Sequence, residues 1–403
     1  MSSLSFIKNS LLLLKQKYTP VQKDRILFTS FNGHYSDNPK YLSEAIHRLD
    51  PCKELVWLVQ KQYLPLLPPY VRGIDISDSK AVQKMRGTAV AIIDNVYGDK
   101  EQWLSSSSKG SKLKFALTRR LKDKPGQQVF TTWHGTPLKC MGRDQVGSSV
   151  LNFSCPRTTM ILGNQYTLDI MQRLTFYRLQ MELIGTPRND LLFASKEQTE
   201  PIKTALELPP DKKIILFAPT FRNDGNKLQD TNLQRSGLNQ LKEMDFGRLF
   251  QALSHRFGGD WALVCRFHYH VEQQVNWEEL NQKYPGRIIN GNLHDDMAQY
   301  LACTELLLTD ASSSMFDFAL TGRPCLLFFP DLEHYATRER GFYTPIDQLP
   351  FPAAVDFPEL LKKIQTFDAE EYTTKTKKML ENYGFTDDEN SSARVANYLL
   401  TRI

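Results

Sequence analysis

Ala89-Val90-Ala91-Ile92-Ile93-Asp94 is an uninterrupted apolar run of strand length that closes on an acid. Without polar alternation, such a run fits a strand covered on both faces, as in a parallel sheet sandwiched by helices. The flanking sequence supports that setting. Residues 25–30 (RILFTS) and 55–59 (LVWLV) read as strands, and between them a helix over 39–49 carries the stripe Tyr41, Leu42, Ala45, Ile46 and Leu49. A helix near 79–86 leads into the apolar run. Strands at 128–130, 160–163 and 182–185 and a helix over 166–178 follow. The pattern lapses over 186–212, which holds Thr186-Pro187-Arg188-Asn189-Asp190 and Pro209-Pro210. It restarts with strands at 213–217, 263–267, 287–289, 306–309 and 325–329, a helix over 246–257 and a helical tail from 357. Repeated β/α alternation, broken once, predicts an α/β protein of two Rossmann-like domains around a cleft. The expected division is an amphipathic helix over 1–20, a domain over 21–190 and a second over 191–403 that includes the tail.

A chain of 403 residues is too long for one ordinary core. Its hydrophobic share is 41% and its mean hydropathy −0.41, and no run reaches the roughly 18 apolar residues of a membrane span. Leu11-Leu12-Leu13-Leu14 is too short for a signal-peptide core, so the expected location is the cytosol. The six cysteines form no C-x-x-C and no zinc spacing, which fits a reducing compartment. Net charge is +5, but the cations are clustered: residues 109–124 hold seven Lys/Arg against the single acid Asp123. Leu4, Ile7, Leu11 and Leu14 share a helical face bordered by Lys8 and Lys15. Together these predict peripheral contact with an anionic membrane surface. Nucleic acid is not expected, because no basic sheet interleaved with aromatics and no recognition helix is visible.

The polar clusters follow strands. After Gln128-Val129-Phe130 comes Thr131-Thr132-Trp133-His134-Gly135-Thr136-Pro137-Leu138-Lys139. Gly135 permits an unusual backbone angle and Pro137 stiffens the exit, so the turn would hold His134 fixed. An imidazole there can take a proton from a hydroxyl or, when charged, hold a phosphate oxygen, or it is simply a hydrogen-bonded turn histidine. Ala218-Pro219-Thr220-Phe221-Arg222 places a guanidinium fork, suited to phosphate, after another strand. In Arg266-Phe267-His268-Tyr269-His270 the two histidines would alternate onto one strand face; no third ligand is visible, and no metal is expected. Asp310 ends a strand, Ser312 or Ser313 can cap the next helix, and Asp317 lies one turn inside it.

Five ordered motifs carry a resemblance. Trp133-His134-Gly135-Thr136-Pro137-Leu138-Lys139, Pro187-Arg188-Asn189-Asp190, Ala218-Pro219-Thr220-Phe221-Arg222, the Thr309-Asp310 to Asp317-Phe318 block and Asp331-Leu332-Glu333-His334-Tyr335 to Tyr343 are similar to the motifs of the CDP-glycerol glycerophosphotransferase family. Members prime and polymerise wall teichoic acids and related capsule polymers. The resemblance implies a GT-B-like fold, a cytoplasmic protein peripheral to the membrane's inner face, and polyol-phosphate transfer from CDP-glycerol or CDP-ribitol. The acceptor would be a lipid-linked or growing polyanionic chain, with CMP released and no cofactor. It also implies catalytic roles for His134, His268 and Asp317. Donor contacts would come from Gly135, Thr136, Pro137, Leu138, Arg188, Asn189, Pro219, Thr220, Arg222, Arg266, Phe267, Asp310, Ser312 and Ser313. The chain departs from the family pattern at Ala311, where tyrosine is usual, and at Tyr269, where proline is usual. A GT-B glycosyltransferase using a nucleotide sugar, and a catalytically silent scaffold, are the competing readings.

Overall fold

A computed structural model describes residues 14, 17–31, 33–96, 124–144, 158–174, 180–220, 237–335 and 341–403. Most of 1–20, all of 109–124 but Lys124, and Arg222 lie outside the described residues. The chain divides into two compact units. One comprises Met1–His134, Gly142–Asp190 and Phe385–Ile403; the other comprises Gly135–Met141 and Leu191–Gly384.

The first unit is a seven-stranded parallel sheet. Its strands are β1 (Gln22–Thr29), β2 (Glu54–Val59), β3 (Val71–Asp75), β4 (Ala89–Asp94), β5 (Gln128–Thr131), β6 (Thr158–Leu162) and β7 (Gln180–Leu183). Their order is β3-β2-β1-β4-β5-β6-β7, so direction reverses between β1 and β4. All six residues of β4 are buried, as the unbroken apolar run requires. Helices α1 (Asp37–Leu49), α2 (Ser79–Thr88) and α3 (Gln165–Leu174) cross over between strands. The core against α1 joins Ile26, Phe28, Leu42, Ile46, Trp57 and Ile93, with Phe28 stacked on Trp57 at 5.5 Å.

The second unit repeats the plan with β8 (Lys213–Phe217), β9 (Trp261–Cys265), β10 (Ile288–Asn290), β11 (Leu306–Thr309), β12 (Cys325–Phe328) and β13 (Ala353–Ala354), in the order β10-β9-β8-β11-β12-β13. Here the reversal falls between β8 and β11. Helix α4 (Lys196–Ala205) opens with a Ser195/Gln198 capping box. Leu249, Phe250 and Leu253 of α5 (Phe246–Phe257) and Leu360 and Ile364 of α7 (Phe357–Gln365) share one core with Phe217, Leu263 and Phe328. Between α5 and α7 in the chain lies the six-residue α6 (Ser314–Ala319).

The tail does not stay with the second domain, as the sequence suggested. Helix α8 (Ala369–Tyr383) ends at Gly384 in the left-handed conformation, and the chain beyond it belongs to the first unit. There Val395, Ala396 and Leu399 of α9 (Ser391–Leu400) pack into the core with Leu42, Ala45 and Ile46 of α1. The Asp190 carboxylate accepts from Ser392 N at 3.0 Å and from its hydroxyl, holding the start of α9. An amphipathic stripe shows that a helix is buried but not against which sheet, which is why the sequence misassigned it. Two further corrections concern strands. His268 and His270 do not alternate on a strand, because β9 stops at Cys265 and Tyr269–Glu272 is helical. Strands β3 and β13 were missed: β3 is a half-exposed edge containing Gly73, and β13 is two residues long. Among the described residues no helix is long and apolar enough to cross a membrane.

Candidate active site

In the first unit the site grows from the end of β5. Thr132 N and its hydroxyl both donate to Asp94 O, at 2.8 and 3.1 Å, carrying the pairing one residue past the strand. Trp133 then turns into the left-handed region (φ 51°), a costly conformation for a bulky side chain. Asn38, fully buried at the start of α1, stabilises this turn: its amide donates to the carbonyls of Thr132 (3.3 Å) and Trp133 (3.1 Å). The sequence expected Gly135 to allow the turn, and Gly135 does take φ 135°, but the strained residue is Trp133.

His134 emerges half-buried, with Phe31 edge-on at 5.6 Å. Its Nδ1 lies 2.8 Å from Asn95 O. A carbonyl can only accept, so Nδ1 carries the proton and, in the neutral ring, Nε2 is the acceptor. Burial pulls the imidazole pKa below its ordinary value, with Arg188 acting in the same direction, while the Asn95 carbonyl and Asp37 oppose them. The ring is therefore poised to accept a proton at neutral pH.

Asp37 links these parts. One carboxylate oxygen takes Arg188 Nη1 at 2.6 Å and Asn38 N at 2.5 Å; the other takes the Asn95 amide at 3.0 Å. Arg188 Nη2 donates to His134 O at 3.2 Å, and Arg188 N donates to the Asn38 side chain at 3.1 Å. The Asp37–Arg188 pair is largely shielded, with side chains 9% and 11% exposed. Arg188, expected among the donor ligands, thus has both arms engaged in holding the histidine loop. Asn189, expected beside it, donates to Asp387 at 3.3 Å. Sequence reading missed Asp37, Asn38 and Asn95. The cluster Ser36-Asp37-Asn38-Pro39 carries a helix-start signal, which explains the residues without pointing to His134.

In the second unit, the segment after His134 pairs with 341–343. Tyr343 N donates to Leu138 O at 2.9 Å and Cys140 N to Gly341 O at 3.1 Å, while Thr136 and Leu138 are buried. Lys139 Nζ sits 5.9 Å over the Tyr335 ring. At the ends of β8 and β11, Thr220 N donates to Asp310 Oδ1 at 2.8 Å and its hydroxyl donates to the same oxygen. Pro219 and Asp310 are buried. Ser312, not Ser313, makes the serine contact at the start of α6, accepting from Ser314 N at 3.3 Å. Asp317 is buried inside that helix. Arg266 donates to the carbonyls of Gly291 (2.8 Å), His294 and Asp295 (2.6 Å), fastening the loop after β10. Phe267 is a core residue, edge-on to Phe217 at 5.7 Å. His268 is exposed, and its carbonyl accepts from Val271 N at 2.8 Å. Of the residues named from sequence, the structure brings Thr220 and Asp310 into contact, and joins Arg188 to the His134 loop. Among the described residues no group of three His, Cys, Asp or Glu is placed to share a metal ion.

Residues 11–401 match the family described as CDP-Glycerol:Poly(glycerophosphate) glycerophosphotransferase. A teichoic acid poly(glycerol phosphate) polymerase of Staphylococcus epidermidis is 26% identical over 97% of the chain and 52% of its own length. The corresponding Bacillus subtilis polymerase is 28% identical over 94% of the chain and 49% of its own length, so the chain spans about half of each. A teichoic acid glycerol-phosphate transferase of Staphylococcus aureus is 28% identical over 93% of the chain and 92% of its own length. The solved structure of the wall teichoic acid polymerase TagF superposes with a TM-score of 0.76 at 24% identity, covering 99% of this chain and 96% of that one, which supports the GT-B-like fold. With a match over nearly its whole length, the chain belongs to the CDP-glycerol:poly(glycerophosphate) glycerophosphotransferase family.

Proposed function

We propose that the protein transfers glycerol phosphate from CDP-glycerol to a hydroxyl of a growing or lipid-linked teichoic-acid acceptor. The observation that carries this reading is the fixed tautomer of His134, with Nδ1–H on the Asn95 carbonyl and Nε2 left as the basic atom. The names of the relatives supply the polyol and the acceptor class.

In this mechanism the acceptor oxygen attacks the phosphorus that bears glycerol. Its proton passes to His134 Nε2, the phosphorus–oxygen bond to CMP breaks, and CMP departs as an anion. General-base assistance of this kind contributes roughly 10²–10⁴ in rate. Phosphoryl transfer otherwise needs alignment and charge neutralisation. Arg222, His268, Thr220, Ser312 and Ser313 are assigned to the donor phosphates, with Asp317 supporting them from inside α6. Arg266, Phe267 and Asp310 act by holding the loops that present those groups. No tightly held metal takes part. The chain works at the cytoplasmic membrane surface through the basic run 109–124, in teichoic-acid or capsule-type polymer synthesis.

The test measures CMP release and product mass with CDP-glycerol and CDP-ribitol, each with a short polyol-phosphate or lipid-linked acceptor. Acceptor-dependent CMP and a product heavier by glycerol phosphate units uphold the proposal. Turnover with CDP-ribitol alone reassigns the donor, and silence with both in a folded protein refutes polyol-phosphate transfer.

A further inference from the structure

At the carboxyl ends of β1 and β4, where the first sheet reverses, a cavity of about 350 Å3 is lined by Ser30, Phe31, Leu58, Ile76, Arg86 and Asn95, among others. Open parallel sheets bind ligands at such reversal points, and the volume falls within the range of small-molecule sites. The cavity adjoins the histidine. Asn95 forms part of its wall and its carbonyl accepts the hydrogen bond from His134 Nδ1–H, while Phe31 contacts the imidazole edge-on. Its chemistry is mixed. Leu58, Ile76 and Val82 make an aliphatic side. Opposite in character are Asp94 and the Ser30 hydroxyl, whose oxygen accepts the Asn95 amide at 3.1 Å and so keeps its own proton to donate. Arg86 supplies the one cationic side chain among the described lining residues.

We propose that this cavity seats the acceptor. The hydroxylated unit that delivers the attacking oxygen lies with its C–H face on Leu58 and Ile76 and its hydroxyls on Ser30 and Asp94. The phosphodiester preceding that unit faces Arg86. The proposal rests on the phosphotransfer reading above and adds the place where the acceptor end is recognised. The shared chemistry is a polyhydroxylated unit joined to a phosphodiester, found both at the end of a glycerol phosphate oligomer and in a lipid-linked sugar.

Two variants test it in the full chain: Arg86→Gln removes the cation, and Ile76→Phe fills the cavity from a position that is 40% exposed and so tolerant of a larger side chain. CMP release is measured against a glycerol phosphate oligomer and a lipid-linked disaccharide analogue, and each acceptor is also titrated calorimetrically without donor. Expected is a rise of about tenfold or more in acceptor KM, the loss of one charged hydrogen bond, with kcat and the KM for CDP-glycerol within about twofold. A rise confined to one acceptor upholds the site and identifies its source as polyol phosphate or sugar. Unchanged acceptor KM in both variants, or a rise in donor KM instead, overturns it. If the wild type releases no CMP with any acceptor, the phosphotransfer reading fails separately and the titrations judge the cavity. Acceptor binding weakened in both variants upholds it; equal or absent binding overturns it.

Discussion

Replacing Asp37 by asparagine separates the network around His134 from the fold that carries it. The change is nearly isosteric, and asparagine tolerates the left-handed backbone of residue 37 (φ 62°) as well as aspartate does, so no new strain enters. What disappears is the charge 2.6 Å from Arg188, whose side chain is 11% exposed. Removing the charge of one partner of a shielded ion pair costs about 3–5 kcal/mol. In a unit of about 200 residues each kcal/mol shifts Tm by about 2–4 °C, so the expected fall is about 6–20 °C by scanning fluorimetry. Catalysis should report the same change through pH. With His134 as the proposed neutral base, kcat/KM should rise as pH climbs through its pKa, which burial holds below the ordinary value of about 6.5. Asp37 favours the protonated ring; its removal moves the acid limb to lower pH, and Arg188 pushes the same way. Adding Arg188→Met should recover part of the lost stability but not the orientation of the His134 loop. A Tm within about 2 °C of wild type, or an acid limb moved upward, would refute the network.

His134→Ala should keep CDP-glycerol affinity while kcat falls by about 10²–10⁴; lost affinity at constant kcat would reassign the residue to binding. The imidazole also makes a share of stability pH-dependent. Because the folded pKa is depressed, the unfolded chain protonates first as pH drops below about 6.5, so stability is lost there and levels off below the folded pKa. His134→Gln should flatten that part of a denaturation-versus-pH curve. Phe267→Ala should cost about 3–5 kcal/mol as a core truncation, whereas Phe267→Leu should retain the donor KM; a donor KM raised in both alike would show direct donor contact. Activity should survive EDTA, and loss that magnesium restores would overturn metal-free transfer.

The repeated β/α alternation and the break after Asp190 were readable because a parallel strand buried on both faces leaves a run such as 89–94 with no polar interruption. Short or exposed strands such as β3 leave no such trace, and the destination of α9 depends on tertiary packing. His134 stood out because histidine, glycine and proline fall within the four positions 134–137, shortly after a strand. Its partners did not. Asp37 and Asn95 lie 97 and 39 residues upstream in the chain, and the bond to the ring comes from a backbone carbonyl, which any residue at position 95 would offer. Arg188 and Arg266 illustrate the converse limit. Both are named as donor contacts through the resemblance alone, and the sequence gives no sign of their hydrogen bonds to groups of the protein itself.

The two sheets share one strand order, and within each the residue immediately after the fourth strand ties down the loop after the first. In one unit Asn95, following β4, donates to Ser30 at 3.1 Å; in the other Asp310, following β11, accepts from Thr220 N at 2.8 Å. Both ties sit at the reversal point, where adjacent loops diverge and expose a crevice unless something joins them. The ties differ in what they do next. Asn95 also donates to Asp37, accepts from Phe31 N at 3.3 Å and accepts from His134 Nδ1, so its side chain and carbonyl couple the crevice to the imidazole. Asp310 is fully buried, and its Oδ1 holds both the amide and the hydroxyl of Thr220, a support for the loop. Asp310→Asn should then preserve the Thr220 amide bond through its carbonyl and leave the donor KM within about threefold. A loss of donor affinity near a hundredfold in a variant with wild-type Tm would instead place the carboxylate on the substrate.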